Sequence, residues 1–371
     1  MRLCHISDSH LGAGENHERR GRSGLTLRQE DILNSFVEAV DRIITLKPDF
    51  CIHSGDLFDK VRPLNRIMAM AGEALHKLTA EAGIPTVIIL GNHDAPKQPF
   101  MGAAIDVYRQ FANLHIVSGP GMEQVRIGDC AIMALPHCLT SEILKRELQR
   151  CRPNPDCRYN VLVMHGVAAG MSEFSMADLG EQELPLEVMA PFDYVALGHY
   201  HNFRQVSPRA WYAGSTERLS QAERETAKGF AEITLEPFNV EFHEVATRTM
   251  IDAAPIMAEG KRGDELAQLL KERLASVDSS DKIVRVNIEG VTAETLKTLP
   301  AGLIAELKQR SFDLNIHFQR PKETPSGQPF GRAAIGKLEA EFGEYLATVD
   351  LAGFDKERLL RKAARLLSDE E

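Results

Sequence analysis

Long apolar runs are missing from this chain. No stretch approaches the 18 or so residues that would span a bilayer, and the amino terminus reaches Asp8 without building the apolar region of a signal peptide. The expectation is a cytoplasmic protein with no membrane partner. Excess positive charge is missing too: 43 Lys and Arg stand against 53 Asp and Glu, a net charge of −10. That balance excludes a protein held on nucleic acid mainly by a basic surface, because such binding needs clustered cations. Any DNA contact must be local, or assisted by metal or a partner. Cysteine is sparse: Cys4, Cys51, Cys130, Cys138, Cys151 and Cys157 form neither a dense disulfide framework nor a paired C-x-x-C zinc site. They read as core thiols, and the gap between Cys151 and Cys157 fits no common ligand spacing.

What is present is ample core material. With 43% apolar and 26% charged residues, the 371-residue chain has a globular composition, and at roughly 150 residues per domain it is long enough for two or three domains. Short β-type runs at Arg2 to Ser7, Phe50 to Ser54, Thr86 to Leu90, Ala131 to Leu135, Asn160 to Met164 and Tyr194 to Leu197 alternate with helical patterns. This rhythm predicts an α/β fold of sheets layered with helices. Ile32, Phe36, Val40 and Ile43 repeat at helical spacing, preceded by Thr26 and Gln29 in capping-box register and closed by Lys47-Pro48. A second helix is expected over Asn65 to Ala82, ended by Gly83, with an apolar face that could serve as a dimer surface.

After about residue 247 the pattern becomes a smaller α+β unit: helix Gly263 to Ser276, strand Lys282 to Ile288, helix Ala293 to Arg310, strand Asp313 to Phe318. The expected organisation is a main domain over 1–247, an α+β cap over 248–320, a linker over 321–331 with Pro321, Pro325 and Pro329, and a helical tail over 332–371. Apolar stripes in the tail (Ile335, Leu338, Phe342, Leu346; then Leu359, Leu360, Ala363, Leu366, Leu367) would suit an external groove or the tail's own domain.

The chemistry lies in metal-ligand residue types set directly after predicted strands: Asp8-x-His10, Gly55-Asp56, Gly91-Asn92-His93-Asp94, His165-Gly166 and Gly198-His199-Tyr200-His201. Ligands of open α/β sheets gather at the carboxyl ends of strands, so these loops could converge on one edge. Left empty, such a cluster would set Asp8 against Asp56 and strip the imidazoles of water; divalent cations remove both problems. Carboxylate, amide oxygen and imidazole without thiolate suit Mn²⁺, Fe²⁺ or Zn²⁺, and Asp56 could bridge two ions roughly 3.5–4 Å apart. Each piece alone also reads as an ordinary turn; the ordered recurrence carries the metal reading.

In this order the motifs resemble those of the calcineurin-like metallophosphoesterases. The wording "HISDSHLG", "GDLFD", "GNHD" and "GHYH" is similar to that of the SbcD-type double-strand-break nucleases, partners of SbcC-type coiled-coil ATPases. The resemblance implies that Asp8, His10, Asp56 and His201 hold one ion, and Asp56, Asn92, His165 and His199 the other, two Mn²⁺ in all. It makes His93 a non-ligand catalytic histidine, with Asp94 orienting it or bracing the loop. It implies attack by water on a phosphodiester, 3′-to-5′ exonuclease and single-strand endonuclease activity, a homodimer, nucleoid association, and the ATPase as partner of the tail. A loop from Glu15 to Arg28, carrying His17, Arg19, Arg20 and Arg22, could grip the DNA backbone or be a solvated surface loop. Asp59 reads as a loop brace and Phe58 as core; Tyr200 could touch substrate or pack. His5, His53, His115, His137 and His243 read as structural, His53 being the one nearest a motif. The alternatives in function are a small-nucleotide phosphodiesterase or phosphatase, and a repair scaffold with secondary nuclease activity.

Overall fold

A computed structural model describes residues 1–98, 101–171 and 182–321. Two six-stranded sheets lie face to face. The first runs in the order Phe238–Glu244, Gly229–Leu235, Arg2–Ile6, Phe50–His53, Thr86–Ile89, Leu114–Val117, the last four parallel to one another. The second runs Arg204–Ser207, Ala210–Tyr212, Tyr194–Gly198, Tyr159–His165, Cys130–Leu135, Glu123–Ile127, with a parallel centre.

Alternate residues of each central strand face opposite ways, and both ways are buried. Leu3, Ile52, Val87 and Ile89 meet Ile132, Val161, Val163 and Ala196 between the sheets. Cys4, Ile6, Cys51 and Ile88 instead meet Ile32, Phe36, Val40 and Ile43 of the Leu27–Leu46 helix. On the far side, Leu162, Met164 and Val195 pack with Leu144 and Leu148 of the Ser141–Arg150 helix. The result is a four-layer α/β/β/α body, and double burial is why its central strands read as continuous apolar runs. All six cysteines are buried and free.

The Leu27–Leu46 helix opens with the expected reciprocal cap: the Gln29 amide donates to Thr26 Oγ1 and the Thr26 amide to Gln29 Oε1, both at 3.1 Å. It closes at Lys47, whose φ is 51°. The second helix is α-helical over Asn65–His76 and continues as a π turn over Lys77–Glu81, with Gly83 at φ 71° beyond.

A third, fully parallel sheet of Met250–Met257, Ile283–Glu289 and Asp313–Gln319 has its own core with the Gly263–Ala275 helix, where Leu266 and Leu270 meet Val284, Val286 and Leu307. The helix expected over Ala293 to Arg310 is two short ones, Ala293–Lys297 and Leu303–Lys308. Pro300 lies between them, unable to donate to a helical bond and in conflict with the preceding turn, and Gly302 takes φ 79°. The linker beyond Pro321 and the tail over 332–371 lie outside the described residues. Among the described residues no helix is long and apolar enough to cross a membrane.

Candidate metal centre

The motif loops leave the carboxyl ends of the parallel strands and meet across the seam between the two large sheets. The Asp8 amide donates to Gly55 O at 3.1 Å and the Leu11 amide to Leu57 O at 2.9 Å, tying the first loop to the second within one sheet. Across the seam, the His199 amide donates to both Asp8 carboxylate oxygens, at 3.0 and 3.1 Å. Asp8, His10, Asp56 and His199 take positive φ of 48°, 43°, 53° and 103°, a region L-residues seldom occupy. Two motif glycines are required by close approach: a Cβ on Gly91 would lie 2.1 Å from Asp56 Oδ1, and one on Gly198 would lie 2.1 Å from Ser54 O.

Asp8, His10 and His201 offer ligand atoms within 4.8 Å of one another, as do His10, Asp56 and His93, and Asp8, Asp56 and His165. Asp56 Oδ2 stands 3.6 Å from His10 Nε2 and 3.3 Å from His165 Nε2, between the two histidine sets. Asn92 Oδ1 completes the second set, 2.9 Å from His165 Nε2 and 3.1 Å from His199 Nδ1. The structure therefore brings together all seven expected ligand positions and His93. Asp8, His10, Asp56 and His165 are buried, whereas His93 is exposed.

Burial opposes charge on Asp56, but the imidazoles of His165, His10 and His93 outweigh it and hold the carboxyl well below its usual range. Asp8 is likewise held low, against burial, by His165 and His201. Burial would lower His165, yet Asp56 and then Asp8 push it up to about 9.

The donor set fits divalent cations. Both ring nitrogens of buried His10 lack a hydrogen-bond partner. His165 Nδ1 donates to Ser54 O at 2.9 Å, so the neutral ring turns a lone pair at Nε2 toward the oxygens of Asn92 and Asp56. Only a second proton on that ring or a cation among these atoms relieves the contact. One cation at each set would take up a ring nitrogen of His10 and the Nε2 lone pair of His165, and the two would offset the Asp8–Asp56 repulsion.

Other expected residues have different surroundings. Asp94 is a brace: its Oδ1 accepts from the Gly91 amide at 2.7 Å and its Oδ2 from the Leu57 amide at 2.8 Å, joining the second and third loops. Burial and the Asp56 charge push Asp94 up to about 8. The His93 ring is held instead by the Asp59 carbonyl, to which Nδ1 donates at 3.1 Å, and the Asp59 carboxylate lies 3.5 Å from His10 Nδ1. In the basic loop, His17 bonds Phe312 O at 3.2 Å and stacks on the Phe312 ring, and Arg19 donates to Ser311 O at 2.9 Å and to Phe312 O. Arg20 closes its own turn on Gly24 O at 3.0 Å, while Arg22 is exposed. His17 and Arg19 thus strap the main body to the third sheet.

His5 is fully buried between Tyr194 Oη and Ser54 Oγ, both at 2.8 Å, and His53 bonds Ser9 Oγ at 3.0 Å. Phe58 is core, and the Tyr200 ring packs edge-on against Tyr212. Sequence reasoning missed Glu223, whose Oε1 lies 3.3 Å from His201 Nδ1. It stands in the short Gln221–Glu223 turn, beyond every motif and with no spacing that ties it to the histidine.

The sequence profile of the calcineurin-like phosphoesterases matches residues 1–203, more than half of the chain and the whole span from Asp8 to His201. The chain belongs to this family. Membership in this metal-dependent family assigns the cluster to divalent cations, in keeping with its donors. Among similar curated proteins, the DNA double-strand break repair protein Mre11 of Methanococcus maripaludis is 30% identical over 247 residues, 62% of either chain. That of Sulfurisphaera tokodaii is 30% identical over 204 residues, 54% of this chain and 49% of the relative. That of Thermoplasma acidophilum is 28% identical over 314 residues, 79% and 78% of the two chains. The chain thus spans about half to two thirds of the length of the first two relatives.

Proposed function

We propose that this phosphoesterase is a metal-dependent DNA nuclease that processes ends in double-strand-break repair and recombination, as a 3′-to-5′ exonuclease and single-strand endonuclease working with an SbcC-type ATPase. The observation that supports it most is a buried donor cluster with one exposed imidazole, His93, at its mouth, in a chain whose named relatives are break-repair proteins. Asp8, His10, Asp56 and His201 hold one Mn²⁺, and Asp56, Asn92, His165 and His199 the second. When bound, the pair neutralises charge developing on the phosphate oxygens and lowers the pKa of water.

The chain's own residues do the rest. Asp59 O fixes the His93 ring through Nδ1, leaving Nε2 to contact the scissile phosphate or pass a proton to the leaving oxygen. Asp94 keeps that loop in register with Asp56. Arg20 and Arg22 are the DNA-backbone contacts, His17 and Arg19 being bonded to the third sheet. Residues 1–247 form the nuclease body and 248–320 the cap, and the tail over 332–371 binds the ATPase. Beside the second helix, Leu64 is 54% exposed, and we assign this face to a homodimer. We place the protein in the cytoplasm, at the nucleoid.

Assay of the full chain with Mn²⁺ on a linear duplex, a single-stranded circle and a cyclic nucleotide tests this reading. Cleavage of both DNAs is expected; turnover of the cyclic nucleotide alone would replace it with the small-nucleotide alternative. Deleting residues 331–371 should abolish ATPase association and spare hydrolysis of simple phosphodiesters, and an unchanged complex would overturn the tail assignment.

A further inference from the structure

His201 is held at two points by a buried ion pair. Glu223 Oε1 lies 3.3 Å from its Nδ1, and Lys228 Nζ donates to its carbonyl oxygen at 2.7 Å. The two clamping groups are themselves joined, Lys228 Nζ to Glu223 Oε2 at 2.6 Å. Lys228 is 1% exposed, an uncommon setting for an ammonium, and its remaining proton points toward Asn202 Oδ1 at 3.5 Å. Glu223 is fixed in turn by Ser220 Oγ at 3.0 Å and by the Leu219 amide at 3.3 Å. The polar atoms of the pair are therefore spent on each other, on His201 and Asn202, and on the turn that carries Glu223.

A carboxylate that accepts the Nδ1 proton of an imidazole fixes both ring orientation and tautomer, and directs the Nε2 lone pair away from itself. Here Nε2 is left for the Asp8–His10 side of the cluster, with which His201 shares ligating distance. The clamp also spans the two sheets. Lys228 immediately precedes the Gly229–Leu235 strand, which pairs antiparallel with the strand leading to Asp8, whereas His201 follows the central strand of the opposite sheet. Both residues fall outside the 1–203 family match.

We propose that Glu223, held by buried Lys228, is a positioning residue that aims His201 at the Asp8–His10 side of the metal centre and sets the affinity of the ion on that side alone. The inference rests on the ligand assignment proposed above. Isothermal titration of the metal-free full chain with Mn²⁺ tests it, with apo melting curves as the folding control. Wild type should take up two ions. Glu223→Ala should weaken by about 10–100-fold the binding event that His10→Ala removes, and leave intact the one that Asn92→Ala removes. The double variant Glu223→Gln/Lys228→Met keeps an acceptor for Nδ1 while discarding both buried charges, and should return the affinity to within a few-fold of wild type.

A folded Glu223→Ala variant with two wild-type events overturns the inference and leaves the ligand assignment standing. Equal weakening of both events, or a double variant no better than the single one, overturns it likewise, since a merely structural pair would act without regard to side. Should Glu223→Ala fail to fold, Glu223→Leu/Lys228→Met, which removes the acceptor together with both buried charges, decides: selective weakening of the His10-dependent event upholds the inference, and wild-type affinity refutes it. A wild-type chain that takes up no Mn²⁺ removes the ligand assignment, and the inference with it.

Discussion

The metal edge of the main body and the three-stranded unit over residues 250–319 are built on opposite terms. At the edge, Asp8, His10, Asp56 and His165 are buried polar groups, and four non-glycine residues hold positive φ. In the smaller unit the core is Leu266, Leu270, Val284, Val286 and Leu307, and Asp281 is its only non-glycine residue at positive φ among those described. One region holds like charges and strained backbone together; the other buries side chains that have no alternative use. Stability and chemistry are therefore divided between them, as expected where function tolerates local departures from good packing.

The sharpest way to break this division is His93→Ala. Hydrolysis of a linear duplex should fall by about 10²–10⁴-fold, while Mn²⁺ stoichiometry and melting temperature stay put; persistence of full activity would reduce the metal edge to a scaffold. Leu270→Ala is the converse and should cost about 2–5 kcal/mol of stability, read by denaturant titration, with hydrolysis of a small phosphodiester retained. Phe312→Ala attacks the join, where His17 stacks at 4.7 Å and the Arg248 guanidinium lies 3.5 Å over the ring. Calorimetry should then resolve two transitions where wild type gives one. Saturating Mn²⁺ at about 100 times its dissociation constant should add about 2.7 kcal/mol, visible as slowed hydrogen exchange in 50–57 rather than in 283–289. Smallest is Arg22→Ala, which should lower the salt dependence of duplex binding by about one phosphate contact; an unchanged slope would leave the loop as a strap only.

Much of the main body is legible in the sequence because doubly buried strands carry apolar runs such as Val161 to Met164, and each donor stands at the strand's last residue or within four residues beyond it. Edge strands gave weaker signals: Phe238–Glu244 mixes half-buried and exposed residues, and Glu123–Ile127 exposes Glu123, Gln124 and Arg126. The helix expected through Pro300 failed because its apolar period continues across a residue that cannot be helical there. The Glu223–Lys228 clamp and the strap from His17 to Phe312 join residues 22 to 295 positions apart. No local spacing announces such a pairing, since only the closed fold makes the partners neighbours.

The seam between the sheets has one more consequence. Asp8, Asp56 and Asn92 ride on one sheet, and His165, His199 and His201 on the other, so each half of the donor set is incomplete by itself. A slip of one sheet past the other by a single residue, about 3.3 Å, would part every cross-sheet pair at once. Under the ligand assignment proposed above, the cluster is a vernier for the sandwich: tight capture of a cation requires both halves of the body to be aligned to a fraction of a residue, and ion uptake becomes a gauge of correct assembly.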